Sequence, residues 1–372
     1  MRNALKIALV GLVASGSLFA VWGATPKGLK ISKTTETPNR GGIDAESVVH
    51  VPAFTLPFSN LASPEAKAWF AYQASHPLPT SAAAADLQSL RKAVDEAVNL
   101  PMVAKQSARY AVTREPRTIG GVYTEVFTPN DGVSPKNKKR VLINLHGGGF
   151  IVGARTLGAV ESIPIASVGR ITVISVDYRL APEHRFPAAS EDVAAVYKEL
   201  LKDHDPADIG IYGCSAGGIL AGEAVAWFYK VGLPNPGAIG VFCASLGQLT
   251  NGDSPWISPM IGGMLPPPSR EPGWGIIGRY YGDTAVDDPL AVPEASPALL
   301  ARFPPTLFIT GSRAGELSSA VHSHIQLLKA GVDAEIAIWD GLDHAFLTNP
   351  DLPESREAYD IIVKFFDKHL RP

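Results

Sequence analysis

Gly213, Cys214, Ser215, Ala216, Gly217 and Gly218 stand between an apolar run at 209–212 and a helical pattern at 219–230. This spacing reads as strand, sharp turn and helix, a layout that puts the serine at the apex in a strained backbone with its hydroxyl exposed above a sheet. Only glycine-sized neighbours at 213 and 217 avoid a clash in such a turn. The chemistry allowed is nucleophilic attack by a hydroxyl. An ordinary strand-to-helix connection has a similar look, so the pattern gains force only from companions elsewhere in the chain.

Those companions are present. After an apolar strand ending at Leu145 come His146, Gly147, Gly148, Gly149 and Phe150. Consecutive glycines leave amide N–H groups unobstructed, and a carbonyl oxygen turning into an oxyanion needs two or three preorganised donors. Gly148, Gly149 and the amide of Ala216 behind the serine are the candidates, with His146 ordering the loop. A proton acceptor is expected at His344, in the run Gly341, Leu342, Asp343, His344, Ala345, Phe346 directly after a strand at 334–339. A neutral imidazole suits this work because its pKa lies near working pH. The acid that orients it should lie between serine and histidine in chain order, after a strand at 306–310, where Glu316 is the first carboxylate. Asp343 and Asp340 remain alternatives for that role. His322 and His324 are two residues apart and so on different helix faces, and the other histidines lack a companion pattern. No metal-ligand spacing is found.

The elements that must hold these residues alternate in type. Strands are expected at 122–127, 141–145, 171–176, 209–212, 239–244, 306–310 and 334–339, and helices at 158–169, 188–202, 219–230, 317–330 and 354–370. Such alternation argues a mostly parallel, doubly wound sheet. Residues 250–304, rich in proline, glycine and tryptophan, are too long for a bare connection and should cross the carboxyl ends of the strands. Helical spacing between 62 and 102 precedes the first strands and reads as a cap over a pocket or as packing on the sheet. Trp256, Trp274, Tyr280 and Tyr281, with those amino-terminal helices, are candidates to line the pocket.

The 372 residues are 46% apolar and 19% charged, which fits a globular core, and a net charge of -3 gives no electrostatic reason to expect nucleic acid. Arg2 and Lys6 precede an uncharged run at 7–22 that ends in Gly23 and Ala24, the layout of a secretory signal peptide over 1–24, with an uncleaved anchor as the alternative. A secreted or periplasmic chain without a stable membrane span after processing is expected. A linker follows at 25–44, a helical cap segment at 45–110 and the catalytic domain at 111–372. Cys214 and Cys243 are the only cysteines, so no disulfide framework exists; both read as small buried thiols, although a bond between them is conceivable.

Taken together, His146 to Gly149, the segment Asp177, Tyr178, Arg179, Leu180, Ala181, Pro182, Glu183, His184, the serine turn and the terminal His344 resemble the hormone-sensitive-lipase-like branch of the α/β-hydrolases. The similarity runs from about residue 122 to the carboxyl end. It implies an α/β-hydrolase fold with an amino-terminal helical cap, and a serine carboxylesterase acting on short acyl chains through an acyl-enzyme. No cofactor is implied, and the partner expected is a small-molecule ester, with a homodimer left open. Amide or lactone hydrolysis by the same residues is an alternative, as is a ligand receptor on a disarmed scaffold, against which His344 speaks. The chain departs from the family twice: Cys214 stands where aspartate commonly precedes the nucleophile, and Ala314 where an aspartate is usual in the acid loop.

Overall fold

Every side chain of the strand Val141–Leu145 is buried, because helices cover both of its sides. Val141, Ile143 and Leu145 pack into one apolar layer and Leu142 into the other. A strand facing two apolar layers has no polar face to show, so its sequence is continuous rather than alternating. It belongs to an eight-stranded sheet in the computed structural model, which describes residues 42–45, 47–76, 86–269 and 273–371. The strands are β1 (Val112–Ile119), β2 (Val122–Pro129), β3 (Val141–Leu145), β4 (Thr172–Val176), β5 (Ile209–Cys214), β6 (Ala238–Phe242), β7 (Thr306–Gly311) and β8 (Ala334–Trp339).

Their spatial order is β1-β2-β4-β3-β5-β6-β7-β8. β2 runs antiparallel to both β1 and β4, and the remaining pairs are parallel. The order reverses at β3, which lies between β4 and β5, so the loops leaving β3 and β5 meet at the carboxyl edge of a topological switch point. β1 is an element that the sequence reading did not anticipate. Its six central residues are exposed, and a polar outermost strand carries no apolar alternation to detect.

The helices are α1 (Pro64–Ser75), α2 (Leu87–Val94), α3 (Leu100–Arg109), α4 (Thr156–Gly169), α5 (Ala188–Leu200), α6 (Ala216–Val231), the short α7 (Ser254–Ile257), α8 (Gly278–Tyr281) and α9 (Pro297–Leu300), then α10 (Leu317–Lys329) and α11 (Pro353–His369). α4 and α11 cover one face of the sheet and α5, α6 and α10 the other. The excursion at 250–304 contains α7 to α9 and is pinned over the strand ends. Ser254 Oγ donates to Gly315 O at 2.6 Å, Ser258 Oγ to Arg313 O at 2.7 Å, and Met264 N to Asp343 Oδ2 at 2.6 Å. These bonds tie it to the loops that follow β7 and β8.

The chain divides into the units Met1–Thr55 and Leu56–Pro372. In the first, Ile43 and Val49 form an isolated bridge and His50 Nε2 lies 3.1 Å from Asp44 Oδ2. The expected signal peptide at 1–24 and most of the expected linker at 25–44 lie outside the described residues. Among the described residues no helix is long and apolar enough to cross a membrane.

The start of α1 is clamped to the start of α11. Ser63 Oγ accepts from Ala66 N at 3.0 Å and donates to Glu354 Oε2 at 3.0 Å, while Ser63 N donates to Glu354 Oε1 at 2.7 Å. Ser63→Ala removes a helix cap, worth about 1 kcal/mol, and a bond to a carboxylate. The expected loss of unfolding free energy is about 1–3 kcal/mol, measured by urea titration. An unchanged midpoint at equal slope would mean that this clamp contributes nothing.

Candidate active site

β5 ends at Cys214 and α6 begins at Ala216, leaving Ser215 alone to turn the chain, with φ 58° and ψ −122°. A positive φ on a residue with a Cβ is strained and persists only where the surroundings enforce it. Here they do. A Cβ on Gly213 would lie 2.2 Å from Leu145 O, and one on Gly217 only 1.7 Å from the same oxygen. The first turn of α6 therefore presses against the end of β3, and glycine is required on both sides of the serine.

The loops after β7 and β8 bring two further side chains to this turn. His344 Nε2 lies 2.9 Å from Ser215 Oγ, and His344 Nδ1 lies 2.9 Å from Glu316 Oε2. Thr310 Oγ1, on β7, donates to Glu316 Oε1 at 3.0 Å. Glu316 is fully buried and His344 nearly so, whereas Ser215 keeps partial exposure. Burial alone would raise the Glu316 carboxyl, but the His344 charge and hydrogen bond, with the Thr310 hydroxyl, outweigh it and hold it below its ordinary value. Burial also works against the imidazolium of His344, yet the charge and hydrogen bond of Glu316 reverse this and raise the ring to about 9.

The other two carboxylates considered from sequence are occupied elsewhere. Asp343 accepts the backbone N–H of His344 and of Met264, each at 2.6 Å, and burial raises its carboxyl to about 6. Asp340 accepts the hydroxyls of Ser59 and Ser312 at 2.5 and 2.9 Å. Of the three acids, Glu316 is the one hydrogen-bonded to the His344 ring.

The glycine loop faces the serine from β3. Gly148 and Gly149 have φ of 101° and 62°. Among the described residues, the N–H groups of Gly148, Gly149 and Ala216 donate to no other group of the protein. The segment at 177–184 holds this loop from behind: Tyr178 Oη donates to His146 O at 2.6 Å, Ala181 N to Phe150 O at 2.8 Å, and the Tyr178 and His146 rings stack 4.3 Å apart. His146 Nδ1 bonds Gly147 O at 2.7 Å. From α2, Arg91 donates to Ile151 O and Ala181 O and pairs with Glu183. The amino-terminal helices thus brace the loop and the α4 and α11 layer.

Sequence reasoning passed over Glu161, on α4. Its Oε1 accepts Gly147 N at 2.9 Å and its Oε2 accepts Asn144 Nδ2 at 2.9 Å. Burial raises its carboxyl to about 8, with these bonds pulling the other way. The available signal was a lone acid in a helix of small and apolar residues, Thr156 to Gly169, ten of which are buried. Such a helix has no water-facing side to receive a charge. The two cysteines are free and buried. The Cys214 thiol is pushed well up, first by its hydrogen bond to Cys243 and then by burial, and Cys243 Sγ accepts Ala345 N at 3.2 Å beside the histidine loop.

A cleft of about 380 Å³ borders this centre at Ile219, one turn beyond Ser215, and at Gly315, just before Glu316. Leu249, Leu265, Trp274 and Tyr281 are among its walls, and the Trp274 and Tyr281 rings stack at 3.7 Å. Two of the four aromatic candidates therefore line it. Tyr280 is instead buried against Phe150, with ring centroids 4.1 Å apart, and Trp256 is 45% exposed. Among the described residues, none of α1, α2 or α3 is part of the cleft walls: Phe70 packs against Gly262 and Arg313, and Gln106 against Tyr359.

A sequence model of a family described as alpha/beta hydrolase fold matches residues 142–348. The chain is 33% identical over 129 residues to a versiconal hemiacetal acetate esterase of Emericella nidulans, a stretch covering 32% of this chain and 43% of that protein. It therefore spans less than half the length of that relative. It is 28% identical over 258 residues to an acetyl-hydrolase of Streptomyces hygroscopicus, covering 66% of this chain and 82% of that one. Among solved structures, an esterase from the bacterial hormone-sensitive lipase family superposes with a TM-score of 0.69 at 28% identity, covering 83% of this chain and 99% of that one.

Proposed function

Because the chain belongs to the α/β-hydrolase family, in its hormone-sensitive-lipase-like branch, we propose that it is a serine carboxylesterase of short acyl esters working through Ser215, His344 and Glu316. One observation carries this reading: the His344 ring bridges the Ser215 hydroxyl and the Glu316 carboxylate with a 2.9 Å contact on each side. In the reaction, His344 Nε2 takes the hydroxyl proton as Ser215 Oγ bonds to the ester carbonyl carbon. The carbonyl oxygen becomes an oxyanion held by the N–H groups of Gly148, Gly149 and Ala216. Collapse breaks the bond to the alcohol, which leaves with the proton from His344. Water, deprotonated by the same ring, then releases the acid and restores the serine. Glu316 orients the ring and stabilises its charge in both halves.

Support for a short acyl group comes from the relatives named for acetyl and acetate substrates. The intact serine–histidine contact favours catalysis over a ligand-binding role. Two measurements test the reading on the full chain. A fluorophosphonate should label Ser215 stoichiometrically, and across p-nitrophenyl esters of increasing length kcat/KM should peak at acetate to butyrate. An unlabelled serine would remove the nucleophile, and a peak at decanoate or beyond would remove the short-chain assignment.

A further inference from the structure

Resting on the esterase reading, we propose that Glu161 is a positioning residue for the oxyanion-binding loop: it anchors the first glycine amide so that the next two stay free for the substrate. Gly147, Gly148 and Gly149 are chemically identical, yet their amides are used differently. The N–H of Gly147 is committed to Glu161 Oε1 at 2.9 Å, whereas those of Gly148 and Gly149 donate to nothing among the described residues. Drawing the first N–H toward α4 sets the peptide plane from which the left-handed Gly148 and Gly149 continue.

The rest of the network fixes the direction of every donor. The Glu161 carboxylate accepts Asn144 Nδ2 at 2.9 Å, which turns Asn144 Oδ1 toward Ser175 Oγ, whose hydroxyl donates to it at 2.9 Å. Ser175 comes from β4, Asn144 from β3 and Glu161 from α4, so the anchor is referenced to three elements. The Asn144 and Gly147 contacts each deliver a hydrogen to the Glu161 carboxyl, so they favour its ionised, acceptor-only form against the burial that raises it. The site also lies close to the chemistry. A Cβ on Gly147 would sit 3.5 Å from both Glu161 Oε1 and Ser215 Cβ. A carboxylate that is 4% exposed is costly to bury, and α4 is otherwise suited to an apolar side chain at that position. The cost is understandable if what it secures is the orientation of the loop.

The test uses Glu161→Gln and the exchanged pair Asn144→Asp with Glu161→Gln in the full chain, with thermal melting as the folding control. E161Q leaves the network with one donor too many, so either the new N–H meets the Asn144 amide donor or Asn144 turns over and strands the Ser175 hydroxyl, and with the carboxylate gone the hold on Gly147 slackens. The expected result is a kcat lower by about 10- to 100-fold with KM within about 2-fold, since small displacements of oxyanion donors act on the transition state. Affinity for an alkyl boronic acid, which fills the oxyanion position, should fall by the same factor as kcat/KM. In the exchanged pair, the carboxylate introduced at position 144 accepts from both Ser175 and the amide introduced at position 161. The oxygen of that amide again accepts from Gly147, and most of kcat returns. A folded E161Q with parent kcat, or one whose boronate affinity is unchanged, overturns the proposal. If E161Q does not fold, the exchanged pair is read alone: parent-like kcat supports the anchor, and a depressed kcat at parent-like melting temperature overturns it. Failure of the esterase reading is distinct, because it would appear as turnover that survives loss of Ser215.

Discussion

Ser215→Ala should lose about six orders of magnitude in kcat on p-nitrophenyl acetate while melting at the temperature of the parent. The size follows from serine hydrolases in general, where removal of the nucleophile costs about 10⁶ and donors plus binding leave about 10³–10⁴ over water. The stability expectation follows from the turn. Ser215 is partly exposed, and among the described residues its one side-chain partner is His344 Nε2. Alanine leaves the enforced backbone and its neighbouring glycines untouched. The residual rate should also be independent of fluorophosphonate treatment. A variant that turned over within tenfold of the parent would shift the nucleophile away from this turn and take the esterase reading with it.

Glu316→Gln should cost about 10⁴ in kcat, the loss seen when a triad acid becomes an amide and the imidazole is held in the wrong tautomer. It should also move the pH profile in a direction that can be worked out. Burial lowers the His344 pKa, and the Glu316 charge and hydrogen bond raise it further than burial lowers it, to about 9. The base is the neutral ring, so kcat/KM of the parent rises with pH through a value above the ordinary 6.5. With the carboxylate gone, the largest influences that raise the ring are lost and it gives up its proton more easily. The acid limb of kcat/KM in E316Q should then lie at lower pH than in the parent. Profiles from about pH 5 to 10 read both effects, and a limb that stayed in place would detach Glu316 from the ring.

How far the sequence led can be judged from particular residues. β8 was bounded at both ends, Ala334 and Trp339, because an apolar run is closed there by Asp340 and Gly341. The serine turn was legible because glycines flank it at the two positions where a Cβ meets Leu145 O. The contact of Glu316 with His344 was within reach of chain order, because Glu316 is the first carboxylate after β7. β1 was not legible, since its side chains face water and its partner β2 supplies the pattern. The Glu161 network was hidden for the opposite reason. Its members, Asn144, Gly147, Glu161 and Ser175, are spread over two strands, a loop and a helix, and only the folded chain brings them within bonding distance.

The outer margin formed by β1 also limits how the molecule can join itself. A ninth strand arriving there would meet Arg114, Glu115 and Arg117, and at Pro116 a backbone without an N–H to offer. Growth of the sheet by docking a second copy, the first step toward fibrous polymers, is therefore discouraged on that flank. The opposite margin, β8, carries no proline and leaves Ile338 46% exposed.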